Sequence, residues 1–139
     1  MKKLPITLLI FFLAFLVFAC EGGTSGSVSG SGQSCTSNGS GGVCEGSYAK
    51  LSGTYSEDIE VSGVTDEVLV DVTASVDEGS VRVYLVDPDG NKTGAVAKPG
   101  APVSVSGSAE VSLDAFSVYF EAVDGKAAGV KYNIQYTYP

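Results

Sequence analysis

Val68-Leu69-Val70-Asp71-Val72-Thr73-Ala74-Ser75-Val76 decides the fold. Val68, Val70, Val72, Ala74 and Val76 fall on one side of an extended chain, and Leu69, Asp71, Thr73 and Ser75 fall on the other. Period-2 alternation of mostly β-branched residues is the mark of a strand with one buried face. The register is strongly specified, because a slip of one residue would bury Asp71 and expose every valine.

The same pattern repeats outward from this stretch. Val81, Val83 and Leu85 alternate with Arg82 and Tyr84. Val103 and Val105 continue it, followed by Ala109, Val111 and Leu113. Phe116, Val118, Phe120 and Ala122 alternate with Ser117, Tyr119 and Glu121. Val130, Tyr132, Ile134, Tyr136 and Tyr138 close the chain, and Tyr55, Ile59 and Val61 mark an earlier strand. Turn residues separate these runs: Asp87-Pro88-Asp89-Gly90-Asn91, Lys98-Pro99-Gly100 and Val123-Asp124-Gly125. No amphipathic helix is legible. Residues 46–139 therefore read as a single all-β antiparallel β-sandwich, of jelly-roll or immunoglobulin-like type, with seven to eight strands. The Val68–Val76 stripe is expected to face Phe116, Val118 and Phe120 across the core.

The N-terminus has a different design. Met1-Lys2-Lys3 is basic, Ile6 to Ala19 is apolar apart from Thr7, and Cys20 opens a polar, Gly-rich tract. This is the layout of a signal peptide over residues 1–19. As a helix, Leu4–Ala19 would span roughly 24 Å at about 1.5 Å per residue, short of a bilayer core of about 30 Å. Residues 22–42 hold 8 Gly and 7 Ser among 21 residues, so residues 20–45 read as a flexible tether.

Composition limits the chemistry. The 139 residues include no His and no Trp. Ser-His and Cys-His catalytic pairs and His-ligated zinc are excluded. With 16 acidic against 8 basic residues, the surface is a poor nucleic-acid binder. Cleavage after Ala19 would remove Lys2 and Lys3, leaving the rest more acidic still. Paired acids such as Glu57-Asp58, Asp66-Glu67 and Asp77-Glu78 sit at strand ends and turns, where they read as solubilising residues. No enzymatic activity is expected.

Three sets of residues remain as candidate sites. With Cys20 set aside, Cys35 and Cys44 form a pair; a disulfide is the expected state, with a two-thiolate metal site as the alternative. Placed in the tether, that bond would constrain the linker and leave the fold unaffected. Asp87, Asp89 and Asn91 alternate oxygen-bearing side chains around a turn, as calcium loops begin. The twelfth position counted from Asp87 is Lys98, however, where an EF-hand loop needs Glu, so a solvated hairpin turn is the preferred reading and calcium the alternative. Tyr84 and Tyr119 have the opposite parity to the apolar stripes of their own strands, which marks them as a binding face. Tyr132 and Tyr136 share the buried parity.

Two resemblances follow from these residues. Val17-Phe18-Ala19-Cys20 resembles the lipobox of bacterial lipoproteins, with Phe18 larger than the residue usual there. The resemblance implies that Cys20 carries lipid and that the protein lies in the cell envelope outside the cytoplasmic membrane. Its partners would then be the membrane, through the anchor, and a surface polymer or an envelope protein. The run Val68–Gly90, ending in the Asp87–Gly90 turn, together with Phe116–Tyr136, resembles the bacterial pre-peptidase C-terminal domain. That family implies a jelly-roll-like sandwich with a final hairpin. The reading as a whole is a non-catalytic, lipid-anchored envelope protein presenting a β-sandwich for adhesion, scaffolding or polymer binding. The alternative is a small module that binds calcium or carbohydrate.

Overall fold

Two long strands, β2 (Gly41–Glu60) and β7 (Ala115–Thr137), pair antiparallel along almost their whole length. They belong to a computed structural model that describes residues 25–63 and 65–139. The signal peptide expected at residues 1–19 and the lipid-bearing Cys20 lie outside the described residues. Around this central pair stand β1 (Ser27–Asn38), β3 (Glu67–Ser75), β4 (Val81–Val86), β5 (Lys92–Ala97) and β6 (Val103–Glu110). The described residues are all-β, and every strand pairing is antiparallel.

The two layers arise because β2 and β7 both bend. Ser52 pairs with Lys126, but Thr54 pairs with Glu121. Between these points β2 spends one residue, Gly53, while β7 spends Ala122 to Gly125. The extra length on β7 lets it take the outer path around the corner. Gly53 and Gly125 have φ of 67° and 88°, a left-handed region that a side chain resists. Past the bend, one layer has the order β1-β2-β7-β3-β6. The other holds residues 54–60 of β2, residues 115–122 of β7, β4 and β5.

Each long strand thus packs on itself. Phe116 meets Tyr136 with ring centroids 5.2 Å apart, and Phe120 meets Tyr132 at 4.9 Å. Tyr48 meets Tyr55 of its own strand at 5.6 Å and Phe120 at 5.6 Å, both edge to face. Such pairs add about 0.5–1.5 kcal/mol beyond the area they bury. The expected final hairpin is therefore corrected. The two halves of β7 do not pair with each other, because β2 runs beside both of them and takes their hydrogen bonds.

The Val68–Val76 stripe is buried throughout, as are Phe116, Val118 and Phe120 in the opposite layer. Val70 and Ala74 are the register partners of Tyr136 and Tyr132, the residues on which Phe116 and Phe120 rest. Leu113 departs from the expected stripe: it is 98% exposed. The chain turns at Ser112–Ala115, where Ser112 N–H donates to the Ala115 carbonyl and Ala115 N–H donates back. Period 2 stops before that turn, and Leu113 lies within the turn itself.

The flexible tether is corrected as well. The sandwich begins at Ser27 and not at Gly46. β1 pairs with the first half of β2 through a tight hairpin, with Asn38 Oδ1 accepting from Ser40 N–H at 2.9 Å. A Ser/Gly composition looks like a linker because it has no apolar face. Here β1 is an edge strand whose backbone is satisfied by the ladder, while Val28 alone packs against the core. Cys35 and Cys44 are register partners joined by a disulfide, and the Cys44 side chain lies in the core. The bond staples the edge strand to the sandwich and does not merely close a loop in a linker.

Val70→Asp places a carboxylate among valines, costs several kcal/mol and should leave no folded protein by circular dichroism. Phe120→Ala should cost about 3–5 kcal/mol in urea titrations, whereas Asp71→Asn, at an exposed site, should stay within about 0.5 kcal/mol. The opposite order would invert the parity of β3. Replacing Cys35 and Cys44 by Ser and Ala should cost on the order of 2–3 kcal/mol. Calorimetry should then show a midpoint lowered by about 10 °C, and a change under about 3 °C would mean that β1 is not stapled to the core.

Candidate functional site

The outer face of the β5-β4-β7-β2 layer is built from residues whose parity opposes the core. Tyr84 of β4 lies opposite Tyr119 of β7, Tyr119 opposite Ser56 of β2, and Tyr84 opposite Gly94 of β5. The row one step along holds Thr54, Glu121, Arg82 and Val96. Tyr84 and Tyr119, the residues expected as a binding face, lie side by side on this outer surface. Their rings stack at 4.8 Å between centroids, with planes 5° apart, and both are half-buried. Sequence parity placed each tyrosine outward; only the register of β4 on β7 puts them side by side.

Charges surround this pair on one side. Lys92 Nζ lies 5.0 Å from the centroid of the Tyr84 ring, a cation–π contact. Arg82 Nη1 donates to Glu121 Oε2 at 3.1 Å, and both side chains are partly exposed. Burial pushes the Tyr84 hydroxyl above the usual tyrosine range, with the nearby Glu121 charge acting in the same direction. A cleft of about 280 Å³ opens between Arg82, Tyr84, Lys92, Gly94, Val96 and Glu121.

On the other side the Tyr119 ring has only the small Ser56 opposite it in register. Next along, Ser117 Oγ donates to Asp58 Oδ1 at 2.6 Å. A second cleft, of about 320 Å³, is lined by Asp58, Glu110, Ser112, Leu113, Ser117 and Tyr119. Its lip is the hairpin tip, where Leu113 and Asp114 have φ of 53° and 61°. Such two-residue turns ordinarily carry Asn-Gly, since non-glycine residues at positive φ are strained. A strained and fully exposed leucine beside a half-buried tyrosine was missed by periodicity, which treats every apolar residue in phase as core.

The remaining candidates have structural settings. Asp87, Asp89 and Asn91 do come together, but as a closed turn. Asp87 Oδ1 accepts from the backbone N–H groups of Asp89 at 3.0 Å and Asn91 at 2.8 Å, and Asn91 Nδ2 donates to Asp87 Oδ2 at 3.0 Å. The Asn91 hydrogen bonds hold the Asp87 carboxyl below the usual carboxylate range. The turn therefore directs donors at the carboxylate where a cation would need oxygens. Among the described residues no group of three or more His, Cys, Asp or Glu is placed to hold a metal ion.

Glu57 enters a cluster that sequence reading assigned only to the surface. It shares the inward parity of Tyr55 and Ile59. Tyr48 Oη donates to Glu57 Oε1 at 2.5 Å, and Gln33 of β1 reaches Glu57 Oε2 at 3.3 Å and Tyr132 Oη at 3.4 Å. Burial first, and the Glu57 hydrogen bond second, push the Tyr48 hydroxyl far above its ordinary value. The cluster ties the edge strand to both layers and satisfies the hydroxyls of Tyr48 and Tyr132.

No protein-family model matches the chain, and no curated protein matches it. Among solved structures the chain is similar to a carbohydrate-binding module from Cellvibrio mixtus lichenase 5A, in complex with cellotriose. The identity is 17%, the TM-score is 0.30, and the alignment covers 81% of this chain and 90% of that chain.

The hairpin strain is measurable. Asn tolerates positive φ better than Leu, and Leu113 has no packing to lose. Leu113→Asn should therefore raise stability by about 0.5–1 kcal/mol, as in other relief of local backbone strain. A loss of stability in urea titration would show that Leu113 packs against the body.

Proposed function

We propose that the protein is a non-catalytic, lipid-anchored protein of the cell envelope whose sandwich binds a neutral polysaccharide on the Tyr84–Tyr119 face. The observation that carries this reading is the stacked tyrosine pair on an otherwise polar sheet face. A pyranose ring offers an apolar C–H face bordered by hydroxyls. The free side of Tyr119 offers a flat apolar surface, with Ser56, Ser117 and Asp58 within reach to exchange hydrogen bonds. Tyr84, braced by Lys92, holds Tyr119 from behind. The acidic body disfavours polyanions and favours uncharged chains.

Anchoring rests on the apolar run and on Val17–Cys20. Acyl chains contribute about 0.8 kcal/mol per buried CH₂, and two or more chains hold a protein stably on a bilayer. An acidic body gains little from an anionic surface, so retention there falls to the lipid.

Both halves of the reading are testable together. A fatty-acid analogue should label the wild type and not Cys20→Ala. In calorimetric titrations against soluble glucans, mannans and xylans, one class should bind the wild type. Tyr119→Ala should weaken it at least about tenfold, equivalent to about 1.4 kcal/mol, while the thermal midpoint stays near that of the wild type. Binding that survives in Tyr119→Ala, or no binding by any neutral polysaccharide, would remove the tyrosine face as the site.

A further inference from the structure

The start of the folded body lies close to the residue proposed to carry lipid. Ser25 is five residues beyond Cys20, and five residues reach at most about 18 Å when fully extended. Ser25 runs against Gly53, at the bend of β2, with its carbonyl near the glycine. The end of the sandwich that carries this bend must therefore lie within about one small-domain radius of the bilayer, whatever path residues 20–24 take.

That end has its own cleft. Between Ser27, Lys50, Ser52, Glu78, Lys126 and Ala128 it opens to about 520 Å³. Lys50 pairs with Ala128 and Ser52 with Lys126, so the two lysines stand diagonally on adjacent strands, on one face. Both are exposed, and neither takes part in an ion pair among the described residues. Lys98 stands in the 98–101 turn at the same end. Asp77, Glu78 and Asp124 share this end, which brings it close to neutral.

The opposite end has a different charge. Glu67 pairs with Glu110, Glu60 pairs with Ala115 at the hairpin, and Val111 N–H donates to the Asp66 carbonyl. Asp87 and Asp89 lie in the neighbouring turn, where Lys92 is the nearby cation. Acids are thus gathered at the end far from Ser25, and unpaired lysines stand at the end near it.

We propose that the cleft flanked by Lys50 and Lys126 is the membrane-facing surface of the anchored protein, docking on anionic lipid headgroups. The acidic end and the Tyr84–Tyr119 face then project away from the bilayer. This rests on acylation of Cys20. The geometry supplies the rest: a short leash fixes which end is near the lipid, and charge fixes which way that end turns. Phosphate oxygens of the headgroups are the acceptors for two lysines that lack carboxylate partners. Attraction over this range is limited to about 8 Å at physiological salt, so it acts only because the leash already holds the cleft near the surface.

Amine footprinting on the full lipoprotein tests the orientation. The protein is reconstituted in vesicles of phosphatidylcholine alone, or with about 30% phosphatidylglycerol, and treated with an acylating reagent. On the anionic vesicles Lys50 and Lys126 should react at least about fivefold more slowly than on neutral ones. Lys92, beside the Asp87–Asn91 turn at the far end, should react equally on both. About 0.5 M salt should abolish the difference. Equal reactivity of Lys50 and Lys126 on the two vesicle types, or protection of Lys92 instead, overturns the docking. Failure of the protein to float with either vesicle type is a separate readout, and it overturns the acylation on which the docking rests.

Discussion

Every feature of this protein depends on the antiparallel pairing of β2 with β7 and on the corner both strands turn together. A sheet with one apolar face must bury it against something, and the described residues include no helix to cover it. Here the sheet covers itself. The bend at Gly53 and Gly125 brings Phe116 and Phe120 over Tyr136 and Tyr132, so one strand provides both sides of the aromatic core. The antiparallel pairing continues on both sides of the corner, while the extra residues of β7 absorb the difference in path length.

The corner also explains where polar groups are tolerated. Tyr48, Tyr132 and Tyr136 are buried to the level of Ile134 and Val130, yet each carries a hydroxyl. The open side between the halves of β2 lets Glu57 and Gln33 reach two of these hydroxyls from the edge. Among the described residues no buried side-chain nitrogen or oxygen lacks a hydrogen-bond partner. β1 contributes little apolar area. Its value is the Gln33 contact and the disulfide, which together hold an edge of small polar residues in the ladder.

The proposed binding face follows the same division between inward and outward parity. The layer that buries Phe116, Val118 and Phe120 presents Ser117, Tyr119 and Glu121 to solvent. Pairing with β4 brings Tyr84 and Arg82 beside them. A rigid sheet is a good mount for such a face, because the backbone ladder fixes side-chain spacing before any ligand arrives. The strained Leu113 hairpin stands at the rim of that face, and the lysine cleft lies at the opposite end, beside Ser27.

Much of this is legible in the sequence itself. Strict alternation over Val68–Val76, Phe116–Ala122 and Val130–Tyr136 determined the strands, their buried faces and the outward direction of Tyr84 and Tyr119. Alternation is a local property, set by the pleat of each strand, and so a single strand displays it. Other features needed the tertiary structure. The Ser/Gly stretch of β1 has no pattern of its own, and it is a strand only because β2 offers it a ladder and Cys44 a bond. The continuity of β7 across the Val123–Gly125 segment depends on β2 pairing with it on both sides of the corner, where local turn chemistry pointed to a hairpin. The exposure of Leu113, the stacking of two tyrosines 35 residues apart in sequence, and the gathering of acids at one end and free lysines at the other are matters of register and of the corner. They depend on which strands become neighbours, and pairing between distant segments leaves no periodic trace in either segment alone.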